Sequence, residues 1–299
     1  MGTYYTIITC RNSENDIKNS LKSIHEQTLK SEYIIVIDDG SSDNTPRILS
    51  DLKQQIANLY IITNQNMGYD ITRVPFNYNK AISFIKKHGL PPTDYHLIAS
   101  DDCIFERNYA IKIISFMDQN ENKVYVSGNY EPSRYNAPRG AGRFVRSSYF
   151  DKYYKFYPER MGYETVLLYE ADMRGYSYSV MDNARYDHVR ELGKDHKFRE
   201  TGPVMKLLGY HPLFVLNRFV VYFISGEPLG RIGATKMLYD YIFYKPHRNE
   251  FDRIYGKELR EYIRKNQVQQ LKKIRFKKTS EIIRRNVLKK TGLMDKRRE

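Results

Sequence analysis

The sequence predicts an α/β domain with a mostly parallel sheet and flanking helices, followed by a helical, amphipathic and basic C-terminal region. Over about the first 128 residues, short runs rich in β-branched residues alternate with runs of helical periodicity, which is typical of a parallel sheet covered by helices. The run 34–37 is apolar on both faces, as a central parallel strand should be. Helical periodicity from residue 197 onward predicts the C-terminal region.

The elements of the first domain follow in chain order. Ser13 is an N-cap candidate for the first helix, Ser42 or Asp43 caps the second, and Gly89 closes the third. The stretch 130–150, rich in Gly, Pro and Arg, predicts a long loop over the sheet edge. Strands are expected at 3–9, 32–38, 59–64, 95–100, 123–129 and after 176, and helices at 12–28, 44–56, 74–89, 106–120 and 164–175.

Paired aspartates follow two of the predicted strands. Asp38 and Asp39 end the second strand, and Asp101 and Asp102 end the fourth. Ligands of parallel sheets bind beyond the carboxyl ends of the strands, so these side chains are candidates for a site. Adjacent carboxylates repel each other unless a cation or hydrogen-bond donors compensate them. Helix capping in a solvated turn would explain one pair, but two pairs predict an oxygen-rich site for Mg²⁺ or Mn²⁺ bridging to phosphate.

Several motifs resemble those of the family 2 glycosyltransferases of the GT-A fold, over nearly two thirds of the chain. "VIDDGSSDNT" is a near-verbatim match to the family motif after the second strand, and "IITCRNSEN" resembles the first-strand nucleotide motif. "IASDD" stands where the family has its metal-binding aspartates, "MGYETVLLYEADMRGY" matches the acceptor-side helix, and "DHVR" matches a later strand. The stretch "GYHPLFVLNRF" looks like the tails of some archaeal, membrane-associated members.

The resemblance implies an inverting, metal-dependent transfer of a sugar from a UDP- or GDP-sugar to an acceptor hydroxyl or phosphate. Glu164 would be the general base that takes the proton from the acceptor hydroxyl. Asp101 would be the principal Mn²⁺ or Mg²⁺ ligand, and His188 could complete the metal shell. The resemblance assigns the nucleotide sugar to Thr9, Arg11, Asn12, Asp38, Asp39, Arg73 and Asp102, and the diphosphate or acceptor to Arg139, Arg143 and Arg190.

Some of these residues have a plainer alternative. Arg139 and Arg143 lie in the Gly-rich stretch "PRGAGR", where they could grip an acceptor phosphate bidentately or be ordinary loop charges. Arg73 could touch the nucleotide or be a solvated residue at a helix start. Glu164 could serve only as a favourable charge at a helix N-terminus.

Two positions depart from the family pattern. Ala99 stands where the metal motif usually has its first aspartate, and Thr165 stands where many members have the aspartate that acts as base. A non-catalytic nucleotide-binding relative therefore remains an alternative. A nucleotidyltransferase is a second alternative, although "TCRNSEN" is not the Gly-rich basic loop that such an enzyme would show after its first strand.

The resemblance and the composition divide the chain into a catalytic domain at 1–193 and a helical region at 194–299. The nucleotide-sugar half of the domain would cover about 1–128 and the acceptor half about 129–193. Two cysteines, Cys10 and Cys103, exclude a disulfide framework and lack the spacing of metal ligands.

The C-terminal region carries most of the charge of the chain. Residues 251–299 contain 17 Lys and Arg against 6 Asp and Glu, which is +11 of the net charge of +14. An apolar helix face at 211–224, followed by this basic stretch, predicts binding to an anionic membrane surface. Without a signal peptide or a spanning run, we expect a peripheral protein on the inner, cytoplasmic face, with a glycan or lipid-phosphate acceptor. A nucleic-acid partner is not expected, because no recognition motif accompanies the basic residues. A helix packed on the catalytic domain, with a solvated basic end, is the alternative.

Overall fold

The computed structural model describes residues 1–129, 137–138, 140–190, 200–226, 228–246 and 249–272 of the 299-residue chain. It comprises two compact units, Met1–His196 and Lys197–Glu299. Each unit is described by itself below.

The first unit is built on one sheet of eight strands within the described residues, in the spatial order β3-β2-β1-β4-β7-β6-β8-β5. β1, β2, β3 and β4 run parallel, whereas β7 pairs antiparallel with both β4 and β6. β8 is parallel to β6 and antiparallel to β5. The strands are β1 (Tyr4–Cys10), β2 (Ile34–Asp38), β3 (Leu59–Thr63), β4 (Tyr95–Ser100), β5 (Cys103–Phe105), β6 (Lys123–Asn129), β7 (Gly142–Arg146) and β8 (Ser177–His188).

Helices cover both faces of the sheet and divide the core into two apolar clusters. Ile17, Leu21 and Ile24 line one side of the first helix at helical spacing, and all three are buried in one cluster. Ala81 and Ile82 of the third helix belong to the other cluster, with Ile7 of the first strand. The helices are α1 (Ile17–His25), α2 (Thr45–Gln55), α3 (Val74–His88), α4 (Tyr109–Asp118), α5 (Ser147–Tyr153) and α6 (Tyr163–Met173).

The sequence prediction was wrong on two local points. The predicted loop at 130–150 contains β7 and α5 in its second half, and residues 130–136 and 139 lie outside the described residues. The Ser13 side chain does not cap α1, because its hydroxyl donates to the carboxylate of Asp101. Asp43 does accept the backbone N–H of Thr45 at the start of α2, 3.0 Å away.

The described part of the second unit consists of helices joined by turns and short irregular segments. It contains α7 (Thr201–Leu207), α8 (Pro212–Ser225), α9 (Gly230–Phe243) and a last helix over residues 257–272. In the described part of the chain, no helix is both long enough and apolar enough to cross a membrane.

Candidate functional site

The register of the parallel strands places the predicted site residues at one edge of the sheet. Cys10 of β1 is paired with Asp38 of β2, and Thr9 of β1 is paired with Ser100 of β4. The residues that follow these strands therefore emerge at the same edge. Asp38–Asp39 and Asp101–Asp102 are brought to this edge from either side of β1, as the sequence predicts.

Asp38 is fully buried and organises the turn that follows β2. One of its carboxylate oxygens accepts the backbone N–H of Ser41 at 2.9 Å and the Ser41 hydroxyl at 2.6 Å. The other oxygen has no hydrogen-bond partner among the described residues. Gly40 has a φ of +71°, and a Cβ there would lie 2.5 Å from the Cα of Asn66, so only glycine fits this turn.

Asp39 is held by an arginine rather than left free. Arg73 donates to its carboxylate from Nη2 at 2.7 Å and from Nε at 3.0 Å, and Asn64 donates from Nδ2 at 3.0 Å. Burial alone would raise the pKa of the Asp39 carboxyl, but these hydrogen bonds and the charge of Arg73 outweigh burial and lower it. Asp39 is therefore charged at neutral pH. Sequence reasoning placed Arg73 at the nucleotide, and the structure places it against Asp39.

Arg11 and Asn12 brace the same turn from β1. The Arg11 guanidinium donates to the backbone carbonyls of Asp39 and Gly40, and to the side chain of Asn66 at 2.8 Å. Asn12 has a φ of +48°, and its side-chain oxygen accepts the N–H of Ser42 at 2.8 Å. Both residues shape the turn that carries the Asp38–Asp39 pair.

A second cluster forms at the end of β4. Arg190 donates to Asp101 from Nη2 at 2.5 Å and to Asp102 from Nε at 3.1 Å. Nδ1 of His188 lies 3.1 Å from Asp102. Both carboxylates are also contacted by the Ser100 hydroxyl. The sequence predicts Asp101, Asp102, His188 and Arg190 as site residues, and the structure brings all four together.

The two carboxylates of this cluster differ in their affinity for a proton. Burial raises the pKa of Asp101, the Arg190 charge opposes this, and the adjacent Asp102 adds to it. Burial alone would also raise the pKa of Asp102, but His188, Ser100 and Arg190 outweigh it and lower the pKa to about 2. Asp102 is therefore the carboxylate that loses its proton more readily, whereas burial opposes the charged form of Asp101.

The donor set of this cluster fits a divalent ion. Ligand atoms of Asp102, Cys103 and His188 all lie within 4.8 Å of one another. Burial raises the pKa of the Cys103 thiol well above its usual value, so binding through a thiolate would require the ion to displace its proton. Asp102 and His188, with Asp101 adjacent, supply the oxygen and nitrogen atoms that Mn²⁺ accepts.

Sequence reasoning missed Cys103. The antiparallel pairing of β5 with β8 sets Cys103 opposite His188, and β5 is a three-residue strand with no sequence signature of its own. The available signal was its position directly after the Asp101–Asp102 pair.

The predicted base, Glu164, lies in the first turn of α6 with 41% of its side chain exposed. Arg143 was expected in a loop, which is wrong: it lies in β7, between β4 and β6, and its side chain is 0% exposed. Nη2 of Arg143 lies 3.9 Å from Oε1 of Glu164. A solvent-facing grip on an acceptor phosphate does not fit this burial. Arg139 lies outside the described residues.

Tyr78 of α3 connects this pair to the nucleotide side of the sheet edge. Burial raises the pKa of the Tyr78 hydroxyl, the charge of Glu164 adds to this, and Arg143, Tyr163 and Thr9 oppose it. Tyr78 thus lies near Glu164 and near Thr9, which the sequence placed in the nucleotide pocket.

Comparison with known sequences finds relatives over most of the chain. The sequence model of the family described as Glycosyl transferase family 2 matches residues 5–184. Glycosyltransferase GlyA from Streptococcus pneumoniae is 23% identical over 243 residues, which are 78% of this chain and 32% of that protein. The chain thus spans about a third of the length of this curated relative.

Comparison with solved structures supports the fold. Mannosyltransferase PcManGT from Pyrobaculum calidifontis, in complex with GDP-Man and Mn²⁺, matches with a TM-score of 0.56 and 12% identity, over 80% of this chain and 69% of that one. S. aureus TarS 1–349 in complex with UDP matches with a TM-score of 0.51 and 15% identity, over 80% and 70%. The predicted α/β fold, with its mostly parallel sheet and flanking helices, is confirmed.

Proposed function

The chain belongs to glycosyl transferase family 2 and is a glycosyltransferase, and from this premise we propose that it is an inverting, metal-dependent enzyme that uses a UDP- or GDP-sugar. One observation carries the proposal: two buried aspartate pairs follow the parallel strands β2 and β4, which flank β1, and emerge at the same edge of the sheet. The GDP-Man and UDP complexes of the two structural relatives support this class of donor.

In this proposal the Asp38–Asp39 turn binds the nucleoside. The unpartnered oxygen of Asp38 and the charged carboxylate of Asp39 accept N–H and O–H donors of the base and ribose. Arg11 and Asn12 hold the turn in the shape that presents these acceptors. Arg73 keeps Asp39 ionised and fixed, so the turn is organised before the donor arrives.

The Asp101–Asp102 cluster then handles the diphosphate. Asp102 and His188, with Asp101 adjacent, would hold Mn²⁺ or Mg²⁺, which offsets the negative charge of the leaving diphosphate when bound. Arg190 sits on the same carboxylates with 39% of its side chain exposed, so it can turn to a phosphate oxygen.

Glu164 takes the proton in the transfer step. The acceptor oxygen forms a bond to the anomeric carbon while the bond from that carbon to the diphosphate breaks, and the acceptor proton passes to Glu164. Nucleoside diphosphate leaves with the electron pair of the broken bond. A single displacement of this kind inverts the anomeric configuration.

A donor screen tests the proposal. Unfolding temperatures and release of nucleoside diphosphate should be measured with GDP-mannose, UDP-GlcNAc and other UDP- and GDP-sugars, with and without Mn²⁺. A true donor at 100 times its Kd should stabilise the fold by about 2.7 kcal/mol. If no such sugar stabilises the protein in the presence of Mn²⁺, the proposal is wrong. Release of pyrophosphate instead of nucleoside diphosphate would indicate a nucleotidyltransferase.

Glu164→Gln tests the assignment of the base. The rate of transfer should fall by about 10²- to 10⁴-fold with donor binding unchanged, because the amide cannot accept the proton. A variant within tenfold of the parent rate would assign the base to another residue. A product with retained anomeric configuration would reject the single displacement.

A second observation favours association of the enzyme with a membrane surface. α8 exposes an apolar stripe at helical spacing: Leu213, Leu216, Val220 and Ile224 are 45–74% exposed, while Phe214 and Val215 on the opposite side are buried. α9 repeats the pattern with Ile232, Tyr239 and Phe243, which are 60–87% exposed. The excess of +11 at residues 251–299 matches the anionic lipids of a cytoplasmic leaflet, and each basic residue near it contributes about 1 kcal/mol. The occupant that we propose for these stripes is therefore a phospholipid surface carrying the acceptor.

Sedimentation with vesicles of phosphatidylserine and phosphatidylcholine tests this association. The double variant Leu216→Glu/Val220→Glu should stay in the supernatant, while the parent sediments even when salt screens the electrostatic part. Lys18→Glu, at an exposed position of α1, changes the net charge by the same −2 and is the matched control. If the parent does not sediment at low salt, the membrane proposal fails.

A further inference from the structure

Arg143 is a buried cation, and Glu164 is its ion-pair partner among the described residues. Its side chain is 0% exposed, and neither Nε, Nη1 nor Nη2 has a hydrogen-bond partner among the described residues. A buried, unpaired charge is among the costliest features that a fold can contain. The charged group nearest to Arg143 within the described chain is Glu164, 3.9 Å away, and the ring of Tyr125 lies 5.6 Å from the guanidinium carbon.

The electrostatic surroundings of Arg143 keep it charged. Burial opposes the charge, but Glu164 and the nearby tyrosines outweigh burial and raise the pKa of Arg143. His96 of β4 is not a competing cation, because burial and then the Arg143 charge lower its pKa to about 3. The titratable groups that face Glu164 and Arg143 are Tyr78 from α3, His96 from β4, Tyr125 from β6, Tyr157 from the segment before α6, and Tyr163 from α6.

Gly140 leaves room for the Glu164 carboxylate. A Cβ at Gly140 would lie 1.9 Å from Oε1 of Glu164, closer than any real contact. The φ of Gly140 is not in the left-handed region, so its backbone does not itself require glycine. The carboxylate oxygen that faces Arg143 is therefore the same oxygen that occupies the space left by the missing side chain.

We propose that Arg143 and Gly140 are positioning residues for Glu164, the buried guanidinium attracting the carboxylate to its place and Gly140 leaving open the space that the carboxylate oxygen occupies. The proposal rests on the function proposed above, in which Glu164 is the base. A charged carboxylate can accept the acceptor proton at once. After the transfer, neutral Glu164 leaves Arg143 without its counter-ion, which favours loss of the proton to solvent and resets the base.

The hydrogen-bond pattern makes the test specific. Because no nitrogen of Arg143 donates to the described residues, its charge matters more than its fork of donors. With the best donor of the screen and Mn²⁺, Arg143→Met should lose about 10- to 100-fold in kcat, with the KM for the donor unchanged. Arg143→Lys keeps a charge and should recover most of this loss.

Gly140→Ala tests the position of the Glu164 carboxylate without changing the charge of Arg143. Its methyl group must displace the carboxylate, so kcat should fall at least tenfold with the donor KM unchanged. Two matched variants serve as controls and should retain the parent kcat. Arg174→Met removes an arginine that pairs with Glu170 of α6 at 3.1 Å and bonds Tyr154 at 2.7 Å, and Gly256→Ala adds a methyl group where nothing lies within 4 Å.

A double variant separates failure of this proposal from failure of the proposed base. In the Glu164→Gln background, Arg143→Met and Gly140→Ala should have no further effect on kcat, because both act through Glu164. If Glu164→Gln stays active, the base assignment itself is wrong. If Glu164→Gln is inactive but Arg143→Met equals Arg143→Lys, or Gly140→Ala keeps the parent kcat, only the positioning role is rejected.

Discussion

The two aspartate pairs at the sheet edge resemble each other in sequence but differ in how their charges are satisfied. At the β2 end, Asp39 receives hydrogen bonds from Arg73 and Asn64, and the pKa of its carboxyl is lowered. At the β4 end, Arg190 is shared by Asp101 and Asp102, and burial still raises the pKa of Asp101. At the first pair one buried oxygen of Asp38 has no hydrogen-bond partner among the described residues, whereas both carboxylates of the second pair are bound by Arg190 and by serine hydroxyls. In the proposed function the first pair recognises the nucleoside and the second holds the metal ion.

The largest effect should come from Asp102→Asn. Loss of the charged carboxylate removes the oxygen that faces His188, so Mn²⁺-dependent turnover should fall by about 10²- to 10³-fold, a few kcal/mol. Steady-state release of nucleoside diphosphate measures it, and Asp51→Asn, at an exposed position of α2, is the control. If Asp102→Asn turns over at the parent rate, the metal-binding role proposed for the Asp101–Asp102 pair is wrong.

Asp39→Ala should act on binding rather than on chemistry. Donor affinity should weaken by about 10- to 100-fold, as expected for the loss of a charged acceptor, while kcat at saturating donor changes little. Calorimetric titration with UDP and GDP measures the affinity. An affinity equal to that of the parent, with a lowered kcat, would reverse the roles assigned to the two pairs.

Arg190→Met should strengthen metal binding by about tenfold. Its guanidinium shares the carboxylates that a divalent ion would use, so its removal frees them. Titration of the protein with MnCl₂ alone gives the affinity without any need for turnover. Unchanged or weaker Mn²⁺ binding would show that Arg190 does not compete for the site.

The smallest effect should be that of Asp39→Asn on the free energy of unfolding, measured as a function of pH. Because the pKa of Asp39 is lowered below 3.8, its charged form stabilises the fold at neutral pH, and this contribution is lost as pH falls through the lowered value. Asp39→Asn should cost about 1 kcal/mol at pH 7, and the difference from the parent should vanish in strong acid. Urea unfolding across pH measures it. A constant difference at every pH would indicate that the Arg73 contact does not depend on the charge.

The sequence predicts the parallel half of the sheet well because each strand there is a continuous apolar run followed by a polar end. The alternation of β1 to β4 with α1 to α3 is visible in periodicity alone, and it places Asp38 and Asp101 correctly. The sequence does not predict β7, because a strand that begins with Gly142 and contains Arg143 lacks the continuous apolar composition of a buried strand. The ion-pair partner of the buried Arg143 is Glu164, which lies 21 residues further along the chain. A local sequence pattern cannot reveal a partner at that distance.

The site was predictable where it depends on strand ends and not where it depends on long-range packing. His188 and Arg190 were assigned by resemblance, and the structure adds that the pairing of β5 with β8 delivers them to Asp102. Arg73 was left open between a contact with the nucleotide and a solvated position, and the structure adds that it pairs with Asp39 from the short 3₁₀ turn at Ile71–Arg73. Sequence pattern identifies which charges are present, but the choice of partner is made by the fold.

The position of β7 has a consequence for how the protein is made. During synthesis, β1 to β4 can pair as soon as about 100 residues have emerged, but β4 then presents an open edge of unpaired N–H and C=O groups. That edge is covered only when β7 inserts beside it, some forty residues later, and β6 can join the sheet only through β7. Exposed edges template intermolecular pairing, so a nascent chain stopped between residues 100 and 142 should be the form most prone to aggregate.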